Sequence, residues 1–169
     1  IEFFPDDRAS SLNMSVMQEE LEALFSRKID LVERRSIEQS ENYIRRKGIL
    51  SGKPPVLRQM SYLLDMLISA RNIRKITGNS SAEMSDRDEM LFHAISYHCR
   101  WLAVSAQRVD APTRRKYPDI PWDRLMKTHD SFEADFCRPD RELIKEIAWE
   151  VAPAIIPILN AIIPREDEI

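Results

Sequence analysis

Between Lys116 and Trp122 the chain reads Lys-Tyr-Pro-Asp-Ile-Pro-Trp, and this stretch constrains the fold more than any other. Pro118 and Pro121 each fix φ and remove a backbone donor, which disfavours both within a helix interior or a central strand. The segment therefore reads as a tight turn that delivers Trp122 to the start of a helix. A polar cluster of His129, Asp130, Glu133 and Asp135 follows about two turns further on.

On both sides of this turn the pattern is helical. Residues 57–77 carry a stripe of Met60, Leu63, Leu64, Leu67, Ile68 and Ile73, and Gly78 suits the position just past a helix end. Ser85 is placed to cap a second long helix over residues 86–109, with Leu91, Ile95, His98, Leu102 and Ala106 on one side. A short helix is expected from about Asp123 to Ala134, and a last amphipathic one from Arg141 to about Ile163. Four or five helices joined by short turns imply an antiparallel bundle.

Residues 1–47 read differently, as β-α-β-α. Ile1-Glu2-Phe3-Phe4 is an apolar, strand-like run. Val16, Met17, Leu21 and Leu24 have helical spacing, with Asn13 or Ser15 as the cap. Lys28 to Val32 alternates as a short strand, and Ser36 opens a helix over 37–46 with Gln39 at capping-box spacing. Gly48 and Gly52-Lys53-Pro54-Pro55 mark a linker over residues 48–56. A strand as apolar as Ile1–Phe4 needs neighbours, so residues upstream or a partner are expected to supply them.

Composition removes several classes. A 43% hydrophobic and 31% charged chain is globular rather than disordered. The apolar stretch Val151–Ile163 is broken by Pro153, Pro157 and Asn160, short of the roughly 18 residues that read as a membrane span, so no membrane is expected. A net charge of −3 gives no global pull towards nucleic acid, and the clusters Arg45-Arg46-Lys47 and Arg114-Arg115-Lys116 read as solvated helix ends. Cys99 and Cys137 are too isolated for a disulfide scaffold or a zinc site, which points to a reducing cytoplasm. His93 and His98 read as core or interface residues, Trp101 and Trp149 as core or dimer contacts, and Tyr43 and Tyr97 have no motif context.

The turn resembles that of the HepT family, the HEPN-domain ribonuclease toxins of bacterial toxin–antitoxin pairs, in which (Arg/Lys)-Tyr-Pro-x-Ile-Pro-Trp leads into an Arg-Asn-x-x-x-x-His-x-Tyr motif. Counted from Trp122, the motif positions fall on His129, Asp130, Ala134 and Phe136, so the frame is kept and each functional residue is changed. The resemblance covers about residues 57–163. Residues 1–47 resemble the C-terminal half of the MntA-type minimal nucleotidyltransferase antitoxins, through Ile1-Glu2-Phe3, Glu19-Glu20-Leu21-Glu22-Ala23-Leu24 and Arg27 to Val32. Together they imply an α+β chain that is mainly α. A small β-α-β-α nucleotidyltransferase half-domain would precede an antiparallel HEPN-type bundle over residues 57–169.

What the resemblances imply about chemistry follows residue by residue. In the toxin family the motif Arg and His of two protomers meet at a dimer interface, where they hold an RNA phosphate and assist attack by the 2′-hydroxyl. Ala134 offers no proton, and Phe136 lacks the hydroxyl that the antitoxin modifies in that family. Arg124 and His129 reproduce the Arg-x4-His spacing in a frame shifted five residues upstream, as a candidate catalytic pair. Positions i and i+5 diverge by about 140° around a helix, and the nearby Asp130, Glu133 and Asp135 disfavour RNA. In the antitoxin family Asp30 matches the third metal-binding carboxylate. One carboxylate cannot clamp the catalytic metal, so Mg²⁺ and ATP enter only if an upstream Gly-Ser loop and Asp-x-Asp exist, and the chain as given needs no cofactor.

Three functions compete on these residues. The first is a non-catalytic, homodimeric interaction or regulatory module derived from a toxin–antitoxin pair, with a toxin or antitoxin as its hetero-partner class. The second is an endoribonuclease using the shifted Arg124–His129 site. The third is an adenylyltransferase whose catalytic half lies upstream.

Overall fold

The computed structural model describes residues 11–52, 58–78, 80–82, 88–135 and 139–168. The elements are α1 (Ser11–Phe25), α2 (Arg34–Glu38), α3 (Tyr43–Leu50), α4 (Arg58–Thr77), α5 (Glu89–Arg108), α6 (Ala111–Lys116), α7 (Trp122–Ala134), α8 (Arg141–Glu146), a π-helical turn (Ile147–Val151) and α9 (Ala152–Ile162). A 3-10 turn over Glu166–Glu168 follows. Among the described residues the protein is mainly helical and contains no strand.

Helices α4, α5, α7 and the continuous α8–α9 rod form an antiparallel bundle. The end of α5 returns to the start of α4, where Asp110 N donates to Gln59 Oε1 at 2.9 Å. The rod runs back along α4. Trp149 Nε1 donates to Ser80 O beyond the α4 C-terminus, and Arg71 donates to Asn160 Oδ1 at 2.7 Å further down. Leu63, Met66 and Ile73 of α4 meet Ile95 and Leu102 of α5, Leu125 of α7, and Ile144, Ile147, Ile155 and Leu159 of the rod, all essentially inaccessible. Burying each such side chain contributes about 1.5–3 kcal/mol, so this core dominates the stability.

Caps fix where the helices begin. Asp88 accepts from Leu91 N, Asp110 from Thr113 N, and Asp140 from Glu142 N and Leu143 N. Each satisfies first-turn donors that have no partner inside the helix. The helix expected over 86–109 is thus capped by Asp88, while Ser85 lies outside the described residues. Helix α6 was not anticipated from the sequence, although Asp110 and Pro112 are good start signals.

The rod widens to i→i−5 bonding at Ile147–Val151, where Ala152 N donates to Ile147 O. Pro153 explains the position, because its ring would clash with the Trp149 carbonyl in a regular α-helix and it has no N–H to offer. The stretch Arg141–Glu168 is long and apolar enough, by length and composition alone, to cross a membrane. Within it Ile144, Ile147, Ala148, Val151, Ala152, Ile155, Ile156, Leu159 and Ile163 line the core of the bundle.

The N-terminal part departs from β-α-β-α where it is described. Residues 28–33 form no strand, and Ile29 N is satisfied by the Glu22 carboxylate of α1 at 3.0 Å rather than by a ladder. The alternation of Lys28–Val32 is real, but a strand exists only where a neighbour pairs with it. The run Ile1–Phe4 lies outside the described residues. The single helix expected over 37–46 is two helices. Ser36 sits inside α2 with its hydroxyl on Glu33 Oε2, and the second helix starts after Asn42. Asn42 is a buried N-cap that accepts from Arg45 N and donates to Ser61 O, Ser61 Oγ and Asp65 Oδ1 of α4. Ile44 reaches the bundle core, and the boundary expected at residue 47 falls within α3.

Candidate functional site

The Pro turn is built as a rigid platform. Trp122 Nε1 donates to Tyr117 O at 2.9 Å, Trp122 N donates to Ile120 O at 2.8 Å, and Ile120 is buried. Arg114 lies over the Trp122 ring while its guanidinium donates to the carbonyls of Val109, Ala106 and Gln107. It therefore closes the C-terminal end of α5, a use of Arg that the charge cluster alone did not disclose. Lys116 stands over the Tyr117 ring at 5.2 Å. An open groove of about 590 Å³ runs beside the turn, lined among others by Arg115, Pro118, Trp122, Arg124 and Met126.

From this platform α7 carries the motif positions outward. His129 is about one-fifth exposed, with Nδ1 3.5 Å from the exposed Asp130 carboxylate. Thr128, fully buried, donates back to Arg124 O. Glu133, Ala134 and Asp135 are exposed, and Phe136 lies outside the described residues. Arg124 points elsewhere. Its guanidinium forms an ion pair with Glu146 of α8 and lies 3.8 Å from Glu150. Arg124 thus faces the rod while His129 lies beside Asp130, the two positions diverging around one helix.

Cleavage of a phosphodiester needs a cation that can hold phosphate and a group that can move a proton. Here Arg124 is paired with Glu146 and lies 3.8 Å from Glu150, and His129 lies beside Asp130. Asp30 is exposed on the chain between α1 and α2, and no group of three metal-ligating side chains occurs among the described residues.

Helix α5 carries what motif reading missed. Met90, Tyr97 and Trp101 are 82%, 59% and 41% exposed and recur at spacings of seven and four, which aligns them on one face. Tyr97 and Trp101 meet edge to face, with ring centroids 6.3 Å apart. Trp149 is partly buried against the core, and His98 is half-buried, with desolvation lowering its pKa from the ordinary value. Cys99 is fully buried, which raises its thiol pKa far out of the reactive range. The aromatic stripe was legible as spacing, but only the packing of α4 and α7 reveals which face stays open.

No protein-family model, curated protein or solved structure matches this chain.

Proposed function

We propose that the chain is a HepT-like HEPN bundle joined to an MntA-like nucleotidyltransferase remnant, and that it acts as a non-catalytic, homodimeric interaction module derived from a toxin–antitoxin pair. The observation that carries this reading is the pairing of Arg124 with Glu146, close to Glu150, while His129 lies beside the Asp130 carboxylate. The exposed Met90–Tyr97–Trp101 face supports self-association, because an aromatic stripe of this kind on a bundle helix favours burial against a partner. The cytoplasm is the compartment assigned, and a cognate toxin or antitoxin the class of hetero-partner. The chain needs no cofactor in this role. Mg²⁺ and ATP belong only to an upstream nucleotidyltransferase half.

The test is RNA cleavage by the purified chain and by the variant His129→Arg, Asp130→Asn, Ala134→His, Phe136→Tyr. The unmodified protein leaves RNA intact, and the quadruple variant gains cleavage. Robust cleavage by the unmodified protein, abolished by Arg124→Ala or His129→Ala, would overturn the reading in favour of the shifted site.

A further inference from the structure

The cluster Arg45-Arg46-Lys47 is divided by the fold rather than left as one solvated patch. Arg45 pairs with Asp65 of α4. Arg46 donates through one nitrogen to Ser40 O at 2.7 Å and through the other to Glu166 of the C-terminal 3-10 turn. Lys47, exposed in the last turn of α3, lines a cavity of about 490 Å³ together with Tyr43, Arg46, Leu50, Ser51 and Glu166. This lining carries two cations against one carboxylate. Glu166 reaches it from the end of the chain, where Ile163 is buried in the core and residues 165–168 are exposed. Tyr43 Oη donates to Pro164 O at 2.6 Å and, with the Arg46 contact, fastens this end to α3. The ion pair is lopsided, with the Arg46 side chain 28% exposed and that of Glu166 63% exposed. The cation is thus set into the surface and oriented by a backbone carbonyl, while its carboxylate partner stands mostly in water. Such a pair contributes little to stability, so another anion can take the place of the carboxylate.

We propose that this cavity binds a small phosphate monoester with an apolar body, its phosphate on Arg46 and Lys47, and that Glu166 is the displaceable internal anion of the site. Charge selects the phosphate. A monoester is close to a dianion at neutral pH and compensates both cations, which a single carboxylate does not. The Arg46 fork, held by Ser40 O, suits the tetrahedral oxygens of phosphate, and the Lys47 ammonium adds a mobile point charge. The opposite wall selects the body. Leu50 is 47% exposed, and the Tyr43 ring packs beside the core, so this side offers apolar rather than charged surface. The volume exceeds what an inorganic anion fills and falls in the usual range of small-molecule sites, about 300–1,000 Å³. Binding exchanges the Glu166 carboxylate for the phosphate and releases the 3-10 turn from α3. The lining shares no residue with the α5 stripe or the α7 motif positions, so the site depends neither on self-association nor on the fate of Arg124.

The experiment titrates the full chain with phenyl phosphate, with benzoate and with inorganic phosphate, following backbone amide shifts of residues 43–51 and 165–168. The expected result is saturable binding of phenyl phosphate at these residues. Benzoate, with the same ring and half the charge, is weaker by about tenfold, the usual worth of one charge-assisted hydrogen bond. Inorganic phosphate is also weaker by about tenfold, because it leaves the apolar wall uncovered. Glu166→Gln removes the competing charge and tightens phenyl phosphate by about twofold to fivefold, the worth of an exposed ion pair. Arg46→Gln weakens it by about tenfold or more, and so does Lys47→Gln to a smaller degree, at an exposed position where substitution leaves the fold intact. Absence of saturable shifts with phenyl phosphate, equal affinity for it and benzoate, equal affinity for it and inorganic phosphate, or affinity unchanged by Glu166→Gln or by Lys47→Gln overturns the proposal.

Discussion

Arg124 on α7 and Glu146 on α8 form an ion pair that ties the motif helix to the C-terminal rod, with Glu150 3.8 Å from the same guanidinium. The π-helical turn begins immediately after Glu146 and contains Glu150, so one carboxylate precedes the widened turn and the other lies within it.

This pair is half exposed on the Arg124 side, so its worth is modest. Arg124→Met and Glu146→Gln are each expected to cost about 0.3–1 kcal/mol in urea unfolding, with a favourable coupling in the double-mutant cycle. Additive single-mutant effects would contradict a direct pairing.

The Asn42 side chain is a stronger tie. It caps α3 and donates to three acceptors on α4 while almost fully buried. Asn42→Ala leaves the first turn of α3 uncapped and deprives Ser61 O and Asp65 of a donor, for a loss of roughly 2–3 kcal/mol. Asn42→Asp keeps the cap but turns a carboxylate towards Asp65, so it is expected to be no better than Ala. Thermal unfolding of the two variants checks this order.

At the Pro turn, Trp122→Phe keeps the ring contact with Arg114 and removes the bond from Nε1 to Tyr117 O. A cost of about 1 kcal/mol is expected from the unpaired carbonyl. Arg114→Ala also frees the carbonyls at the end of α5, and it is expected to destabilise more than Trp122→Phe does.

These tie points mark where the sequence was and was not readable. The stripe of α4, the span of α5 and the long C-terminal helix follow from 3.6-residue periodicity, and burial enforces that periodicity directly. The N-terminal part did not follow. Lys28–Val32 alternates, but only a pairing neighbour turns alternation into a strand, and Glu22 satisfies Ile29 instead. Ser36 and Asn42 are both acceptable caps locally. Contacts to Ser61 and Asp65, about 20 residues away, select Asn42. At the candidate site the frame set by Trp122 was legible, whereas the fate of Arg124 depended on carboxylates of the rod far along the chain, at Glu146 and Glu150.

Burial of His98 lowers its pKa, so the unfolded chain takes up a proton at higher pH than the folded one. Stability is therefore level above the unfolded value near 6.5 and falls as pH drops below it towards the folded pKa. His98→Gln is expected to flatten this part of the profile. Chemical unfolding between pH 7 and pH 5 measures it, and an unchanged slope in the variant would assign the effect to other groups.

Sedimentation equilibrium of the full chain at micromolar concentration tests the central claim most directly. The wild type is expected to fit a dimer, and Tyr97→Glu with Trp101→Glu a monomer of unchanged helical circular dichroism, since a charge buried in an apolar interface is costly. A wild-type chain that stays monomeric across this range, or a double variant that still dimerises, would contradict the account.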